Sequence, residues 1–343
     1  MPDGLPTPAN APLVDQFGRQ VTYLRLSVTD RCDLRCTYCM AERMQFLPKQ
    51  ELLTIEELDQ VAQAFIRRGV QKIRITGGEP LVRRGMPELI QRLGAYVGNG
   101  LDELTLTTNA TLLDQFAGLL VENGVKRINV SLDSLNPQTF EQITRRGKLD
   151  KVLSGIDAAL DAGLKLKINT VAMKHENLGE LPDMIEWAHG KGMDLTLIEV
   201  MPLGDTGEDR IDQYIPLPLV RDQLEQKWTL EDVAVADVNA GPSRYVRVAE
   251  TGGKLGFITP LTNNFCAGCN RVRVTCTGRI YMCLGQDDHI DLRAALRESD
   301  DPDASLHQCL DRALMKKPER HEFSIKQRGQ APALGRHMSV TGG

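Results

Sequence analysis

Three cysteines, Cys32, Cys36 and Cys39, stand at C-x3-C-x2-C spacing. That spacing lets three thiolates from one short loop converge on one metal centre. Iron–sulfur clusters usually take four cysteines, and structural zinc sites take four ligands. A set of three leaves one position open, which suits a catalytic centre better than a structural one. Core packing is the plain alternative for cysteines. Here Asp33, Arg35 and Tyr38 lie among them, and such a segment packs poorly in a core.

A second set lies more than two hundred residues later. Cys266, Cys269 and Cys283 form C-x2-C-x13-C, with Cys276 between, so spacing alone does not select the third ligand. Taken alone, this pattern suits zinc as readily as iron–sulfur. Asn270-Arg271-Val272-Arg273 follows at once. Alternate residues of a strand point the same way, so Arg271 and Arg273 present two guanidinium forks on one face. Two forks suit a polyphosphate or a purine-bearing anion. Away from a metal site such a pair reads as a solvated strand edge. Thr76-Gly77-Gly78-Glu79-Pro80 is a further candidate loop, because glycine lets a ligand approach the backbone closely. The final Gly342-Gly343 by itself reads as a frayed end.

These residues need elements to position them. Short runs rich in Ile, Leu, Val and Thr occur at 23–28, 72–76, 103–107, 127–132, 165–171 and 194–200 and predict strands. Between them, 54–68, 85–97, 112–123, 137–162 and 178–191 carry apolar residues at spacings of three and four and predict helices. Thr54 and Glu57 form a capping-box signature. Gly69, Gly124, Gly163 and Gly192 mark helix ends. Six β-α repeats imply parallel strands with right-handed crossovers, either as a doubly wound sheet or as a partial (β/α) barrel. In both, chemistry belongs at the C-terminal ends of the strands, where these motifs fall.

Beyond Met201 the pattern changes. A Pro-, Gly- and Asp-rich stretch covers 202–218. A helix is expected at 219–227, strands at 244–249, 254–258, 272–275 and 279–282, and helices at 291–298 and 306–317. The expected division is an N-terminal arm (1–20), a barrel (21–215), a C-terminal α+β segment covering the barrel mouth (216–330) and a tail (331–343).

Composition sets outer limits. The chain has 343 residues, is 41% hydrophobic and 25% charged, and carries a net charge of −5. That balance argues against disorder and against a surface devoted to nucleic acid. It leaves room for an anionic small substrate held by local arginines. No secretory leader or membrane span is expected. Eight cysteines in a cytoplasmic chain read as metal ligands rather than disulfides.

The three-cysteine loop with an aromatic before its last cysteine, followed by a strand ending Gly-Gly-Glu-Pro, resembles the radical S-adenosylmethionine superfamily. With the second cysteine set, the Cys-Asn-Arg-x-Arg run and the terminal Gly-Gly, the likeness narrows to the GTP 3′,8-cyclase family of molybdenum cofactor biosynthesis. It runs from about Leu24 to the C-terminus. It implies a partial (β/α)6 TIM-type barrel with two 4Fe–4S clusters at opposite ends of one cavity. Cys32, Cys36 and Cys39 match the ligands of the cluster that binds S-adenosylmethionine, and Tyr38, Gly78, Ser131 and Met201 match positions around that co-substrate. Cys266, Cys269 and Cys283 match the second cluster. Arg25, Arg74, Thr107, Lys167, Arg271, Val272 and Arg273 match GTP-binding positions. Arg271, Arg273, Gly342 and Gly343 match residues needed for activity. Ala110 departs from the glycine that many relatives carry there.

The implied reaction is intramolecular. A 5′-deoxyadenosyl radical takes the ribose 3′ hydrogen of GTP, the sugar radical attacks carbon 8 of guanine, and the resulting radical is reduced by one electron with uptake of a proton. The product is (8S)-3′,8-cyclo-7,8-dihydroguanosine 5′-triphosphate, which a cyclic pyranopterin monophosphate synthase consumes. The resemblance also implies a cytoplasmic homodimer. Two other readings make different demands. A radical S-adenosylmethionine enzyme that modifies peptides usually carries more C-terminal cysteines. A non-catalytic zinc module requires both cysteine sets to be structural.

Overall fold

The structure is a computed structural model that describes residues 11–233 and 241–342. Residues 1–10 of the expected arm, residues 234–240 and Gly343 lie outside the described residues. Six strands alternate with helices: β1 (Tyr23–Ser27), α1 (Ile55–Arg67), β2 (Lys72–Thr76), α2 (Met86–Gly94), β3 (Glu103–Thr108), α3 (Leu113–Glu122), β4 (Arg127–Ser131), α4 (Pro137–Thr144), α5 (Leu149–Asp161), β5 (Lys165–Ala172), α6 (Leu181–Gly190) and β6 (Asp194–Glu199). Then come α7 (Arg210–Gln213), α8 (Leu217–Leu224), β7 (Leu230–Asp232), β8 (Arg244–Val248), β9 (Lys254–Ile258), β10 (Arg271–Val274), β11 (Arg279–Tyr281), β12 (His289–Asp291), α9 (Leu292–Arg297), α10 (Pro302–Leu314) and α11 (Met338–Thr341).

β1 to β6 are parallel neighbours in sequence order. A doubly wound sheet would reverse that order at a switch point, so the partial barrel is the correct alternative. The C-terminal segment also builds wall. β10 pairs with β1 and β9 with β6, both parallel, and antiparallel strands extend each side into a twelve-stranded sheet.

Strand side chains alternate between two faces. Leu24, Leu26, Ile73, Ile75, Leu104, Leu106, Ile128 and Val130 turn outward and are buried beneath the helices in one continuous core. Each such side chain contributes roughly 1.5–3 kcal/mol by leaving water. Their neighbours in the chain face the barrel interior and are largely polar: Tyr23, Arg25, Lys72, Arg74, Thr105, Asn129 and Lys167. The lumen is therefore a charged cavity wall.

The capping box forms, with Glu57 N–H donating to Thr54 Oγ1 (3.2 Å) and Thr54 N–H to Glu57 Oε2 (2.7 Å). The helix expected over 137–162 is broken in two. Thr144 Oγ1 donates to Phe140 O (2.7 Å) and accepts from Gly147 N–H (3.0 Å), and Arg145 takes a left-handed φ of 59°. A side chain competing for backbone groups ends the helix there. Ala110 adopts φ 64°, the conformation glycine takes without strain.

Candidate active site

The first cysteine loop runs from the end of β1 across to the end of α4. Arg35 N–H and Thr37 N–H donate to Thr144 O and Ile143 O (both 2.9 Å). Cys39 N–H donates to Cys36 O (2.9 Å), which folds the last two cysteines into one turn. Gly77 and Gly78 dock this loop. Gly78 N–H donates to Thr29 O (2.8 Å) and Glu79 N–H to Arg31 O (2.8 Å). A Cβ on Gly78 would lie 2.2 Å from Arg31 O. What approaches these glycines closely is the cysteine loop itself.

Glu79 braces the neighbouring loop. It accepts from Asn109 N–H (2.7 Å), Leu81 N–H (3.0 Å) and the Thr108 hydroxyl (2.9 Å). Burial still pushes its carboxyl up to about 7 against those bonds. Tyr38 donates its hydroxyl to Asp133 (2.8 Å), and burial raises that carboxyl to about 6. Glu79 was expected to add charge or orient its loop, and it does brace a loop; Asp133 and Asn109 were not singled out, because only tertiary packing brings them to the triad.

All three thiols are free and half-buried. Burial pushes Cys36 well up and Cys39 to about 11, so these thiols are protonated until a cation joins them. Asp33, the acid within the loop, accepts from Asn109 (2.7 Å) and Thr111 (2.6 Å), so its carboxylate is already engaged. Among the described residues no group of donors closes on a single metal ion. In a cluster each thiolate holds a different iron, so three sulfurs need not meet at a point. The donor set, three thiols with no fourth protein ligand, fits a cluster with one open iron.

The second set lines the main cavity, which holds about 1210 Å³ of empty space with solvent at its mouth included. Cys266, Cys269 and Cys283 are all on its wall. Cys276 is not; it is fully buried in the turn after β10, where its carbonyl accepts from Leu53 N–H (2.7 Å). Burial raises Cys269 too, but Lys317, Arg271 and Arg273 outweigh it and bring the thiol down to about 7. No fourth cysteine joins this trio on the cavity wall among the described residues, although His321 also lines it with a buried, unpartnered Nε2; the three thiols fit a cluster whose fourth position no cysteine closes.

Seven Lys and Arg side chains line this cavity, and no Asp or Glu does, among the described residues. Strand register explains the crowding. Arg25 sits between Arg273 and Arg74, and Tyr23 between Arg271 and Lys72. Glu103 pairs with Lys72 (3.0 Å) and Arg127 (2.7 Å). Arg25, Arg74, Lys167, Arg271 and Arg273 have no carboxylate partner among the described residues. Arg25 Nε and Nη2 and Arg74 Nε are buried with no hydrogen-bond acceptor there. Burial and then the neighbouring Arg74 lower Lys167 to about 7; burial and Arg271 lower Arg273 to about 10. Tyr23, although buried, is pulled down to about 7 by Arg74, Arg25, Lys72 and Arg271. This wall lacks an anion.

Met201 also lines the cavity; Gly78 follows β2, Ser131 ends β4, and Tyr38 lies within the first cysteine loop. Thr107 lies within 3.5 Å of Arg74 Nη1. The Val272 side chain turns away into the core, leaving only its backbone toward the lumen. The tail runs inward: Gly204 N–H donates to Leu334 O (2.9 Å), and Arg273 Nη1 reaches Gly342 O (3.5 Å). Gly342 is buried against Thr76 at φ 71°. Lys72, Arg127, Asn129, Tyr245 and Lys317 were missed as site residues. Strict alternation in Lys72-Ile73-Arg74-Ile75 and Arg127-Ile128-Asn129-Val130 was the available signal for the first three.

Residues 26–188 match the radical SAM superfamily model, and residues 193–323 match Molybdenum Cofactor Synthesis C. A GTP 3′,8-cyclase of Erythrobacter litoralis is 63% identical over 335 residues, covering 98% of this chain and all of that protein. The GTP 3′,8-cyclases of Rhizobium etli and Rhizobium meliloti are 60% and 62% identical, over 97% of this chain and 94% and 95% of theirs. Streptococcus suis SuiB, solved bound to S-adenosylmethionine, superposes with a TM-score of 0.64 at 16% identity, over 88% of this chain and 69% of SuiB. That last likeness is one of fold. This chain belongs to the GTP 3′,8-cyclase family, radical S-adenosylmethionine enzymes of molybdenum cofactor biosynthesis that act on GTP.

Proposed function

We propose that this chain cyclises GTP to (8S)-3′,8-cyclo-7,8-dihydroguanosine 5′-triphosphate with two 4Fe–4S clusters facing one cavity. Cys32, Cys36 and Cys39 hold the first, and S-adenosylmethionine fills its open iron beside Tyr38, Gly78, Ser131 and Met201. Cys266, Cys269 and Cys283 hold the second. When bound, the first cluster and S-adenosylmethionine supply the electron and the carbon-centred acceptor for the ribose 3′ hydrogen.

The observation that carries this reading is the cationic wall, with its unsatisfied guanidinium nitrogens, in the cavity that the second thiol set lines. Arg25, Arg74, Lys167, Arg271 and Arg273 bind the triphosphate and fix the ribose relative to the first triad, with Thr107 and the Val272 backbone beside them. Charge-assisted bonds to phosphate are the strong kind. Holding the 3′ carbon against carbon 8 of guanine makes ring closure an intramolecular step. Gly342, within reach of Arg273, closes the lumen there, which keeps water from reactive intermediates, and Gly343 is needed with it for activity. The tail, the 216–330 segment and the 21–215 barrel thus contribute to one site. The product passes to a cyclic pyranopterin monophosphate synthase, and a cytoplasmic homodimer is the working state.

The test is anaerobic incubation of the iron-loaded protein with GTP, S-adenosylmethionine and a reductant. Mass analysis should find 5′-deoxyadenosine and the cyclised nucleotide together. Iron and sulfide should each approach about eight per chain; zinc in their place sinks the reading.

A further inference from the structure

Lys317 lies three residues past the end of α10 and is 2% exposed. Its ammonium has three donors, and each meets an acceptor. Nζ lies 2.9 Å from Arg271 O, 3.0 Å from Met282 O and 3.6 Å from Cys269 Sγ. Arg271 follows the Cys266–Cys269 turn, and Met282 precedes Cys283. One buried cation therefore ties both loops of the second thiol set together and places its charge against one sulfur.

The surroundings hold this lysine in place. Gln16 Nε2 donates to Lys317 O (3.3 Å). Arg19, oriented by Asp15 (2.6 Å), donates to Cys266 O (2.9 Å), Pro318 O (2.5 Å) and Glu319 O (2.8 Å). The N-terminal arm and the end of α10 thus clamp the cysteine turn from both sides. A purely apolar plug would fill the same space without the cost of burying an ammonium. The charge needs a reason, and the sulfur beside it supplies one.

We infer that Lys317 is a positioning residue for the second cluster: it holds the Cys269 and Cys283 loops in register and stabilises the reduced cluster through its charge at Cys269. This rests on the two-cluster reading. Reduction adds negative charge to the thiolate-bound cluster, and a fixed cation within reach of a ligand sulfur favours that state. Partners one step beyond the ligands tune both retention and potential.

The experiment compares wild type with Lys317→Met, Lys317→Gln and Lys317→Arg, each loaded with iron and sulfide anaerobically. Iron is counted, and the midpoint potential of each cluster is followed by electron paramagnetic resonance. Wild type must hold about eight irons per chain; about four would overturn the two-cluster reading before Lys317 is tested. With two clusters present, Met and Gln should shift the second cluster to a more negative potential or release it. Arg should keep it near the wild-type value, and the first cluster should not move in any variant. An unchanged second potential in Met or Gln overturns the inference, as does equal loss of the cluster in Arg. Gln still donates hydrogen bonds, so it separates charge from stapling if Met does not fold.

Discussion

The guanidinium groups of Arg25, Arg74, Arg271 and Arg273 are crowded by backbone register, with no acid among the described residues to relieve them. Such crowding is stable only because the outer faces of the same strands bury apolar side chains. An anion with several charges converts the repulsion into binding energy. Replacing Arg271 with Ala removes one charge-assisted contact worth roughly 1.5–3 kcal/mol, which corresponds to about 10–100-fold in affinity. Anaerobic calorimetry with GTP should show that loss while the first cluster's spectrum is unchanged.

Lys167 adds a pH dependence. Burial and Arg74 lower its pKa from 10.5 to about 7. Between those values the folded empty chain has lost a proton that the unfolded chain keeps, so this group makes stability rise with pH across that window. Its charge toward the triphosphate is lost over the same window. GTP affinity should fall as pH rises above about 7, as Lys167 loses its charge and Tyr23, on the same wall, gains a negative one. Lys167→Arg, which keeps its charge, should flatten the difference in titrations across that range.

At the level of elements, loops are placed by how closely backbones approach. Gly78 allows the first cysteine loop to lie on the end of β2, and a Cβ there would stand 2.2 Å from a carbonyl oxygen. Gly78→Ala should displace that loop and lower iron content from about eight to about four per chain, with the second cluster's spectrum retained. α1 depends on its cap rather than on the site. Thr54→Ala removes the side chain that accepts from Glu57 N–H and should cost about 1 kcal/mol. The denaturant midpoint should report it, with iron content unchanged. The split of α4 from α5 shows the opposite case. The apolar spacing runs through both helices, and only the Thr144 hydroxyl and the turn at Arg145 reveal the break.

Across the whole molecule, the chain's last residues return to its first strands. Gly342 lies against Thr76 of β2 and within reach of Arg273 of β10. Arg336 anchors the approach by donating to Leu284 O (2.9 Å) beside Cys283 and stacking 3.9 Å above the Tyr281 ring. This tail is thus fixed at both points and contributes no thiol. Removing positions 342 and 343 should therefore reduce cyclisation while both clusters remain, read as product formed against iron retained.

Much of this was legible in one dimension. The six β-α units, the α1 cap and the three-cysteine loop follow from local periodicity, cap chemistry and spacing, which need no distant partner. The two-residue alternation in β1, β2, β4 and β5 also holds a signal that separates cations on one face from apolar residues on the other, but it went unread for Lys72, Arg127 and Asn129. Other features were decided only by folding. Cys283 joins Cys266 and Cys269 because β10 and β11 return their loops to one wall, while Cys276 is carried behind it. Glu79, Asp133 and Lys317 acquire roles from partners 30, 95 and 48 positions away. Periodicity and spacing report a residue's own element, whereas a site joins elements whose encounter depends on the packing of the whole sheet.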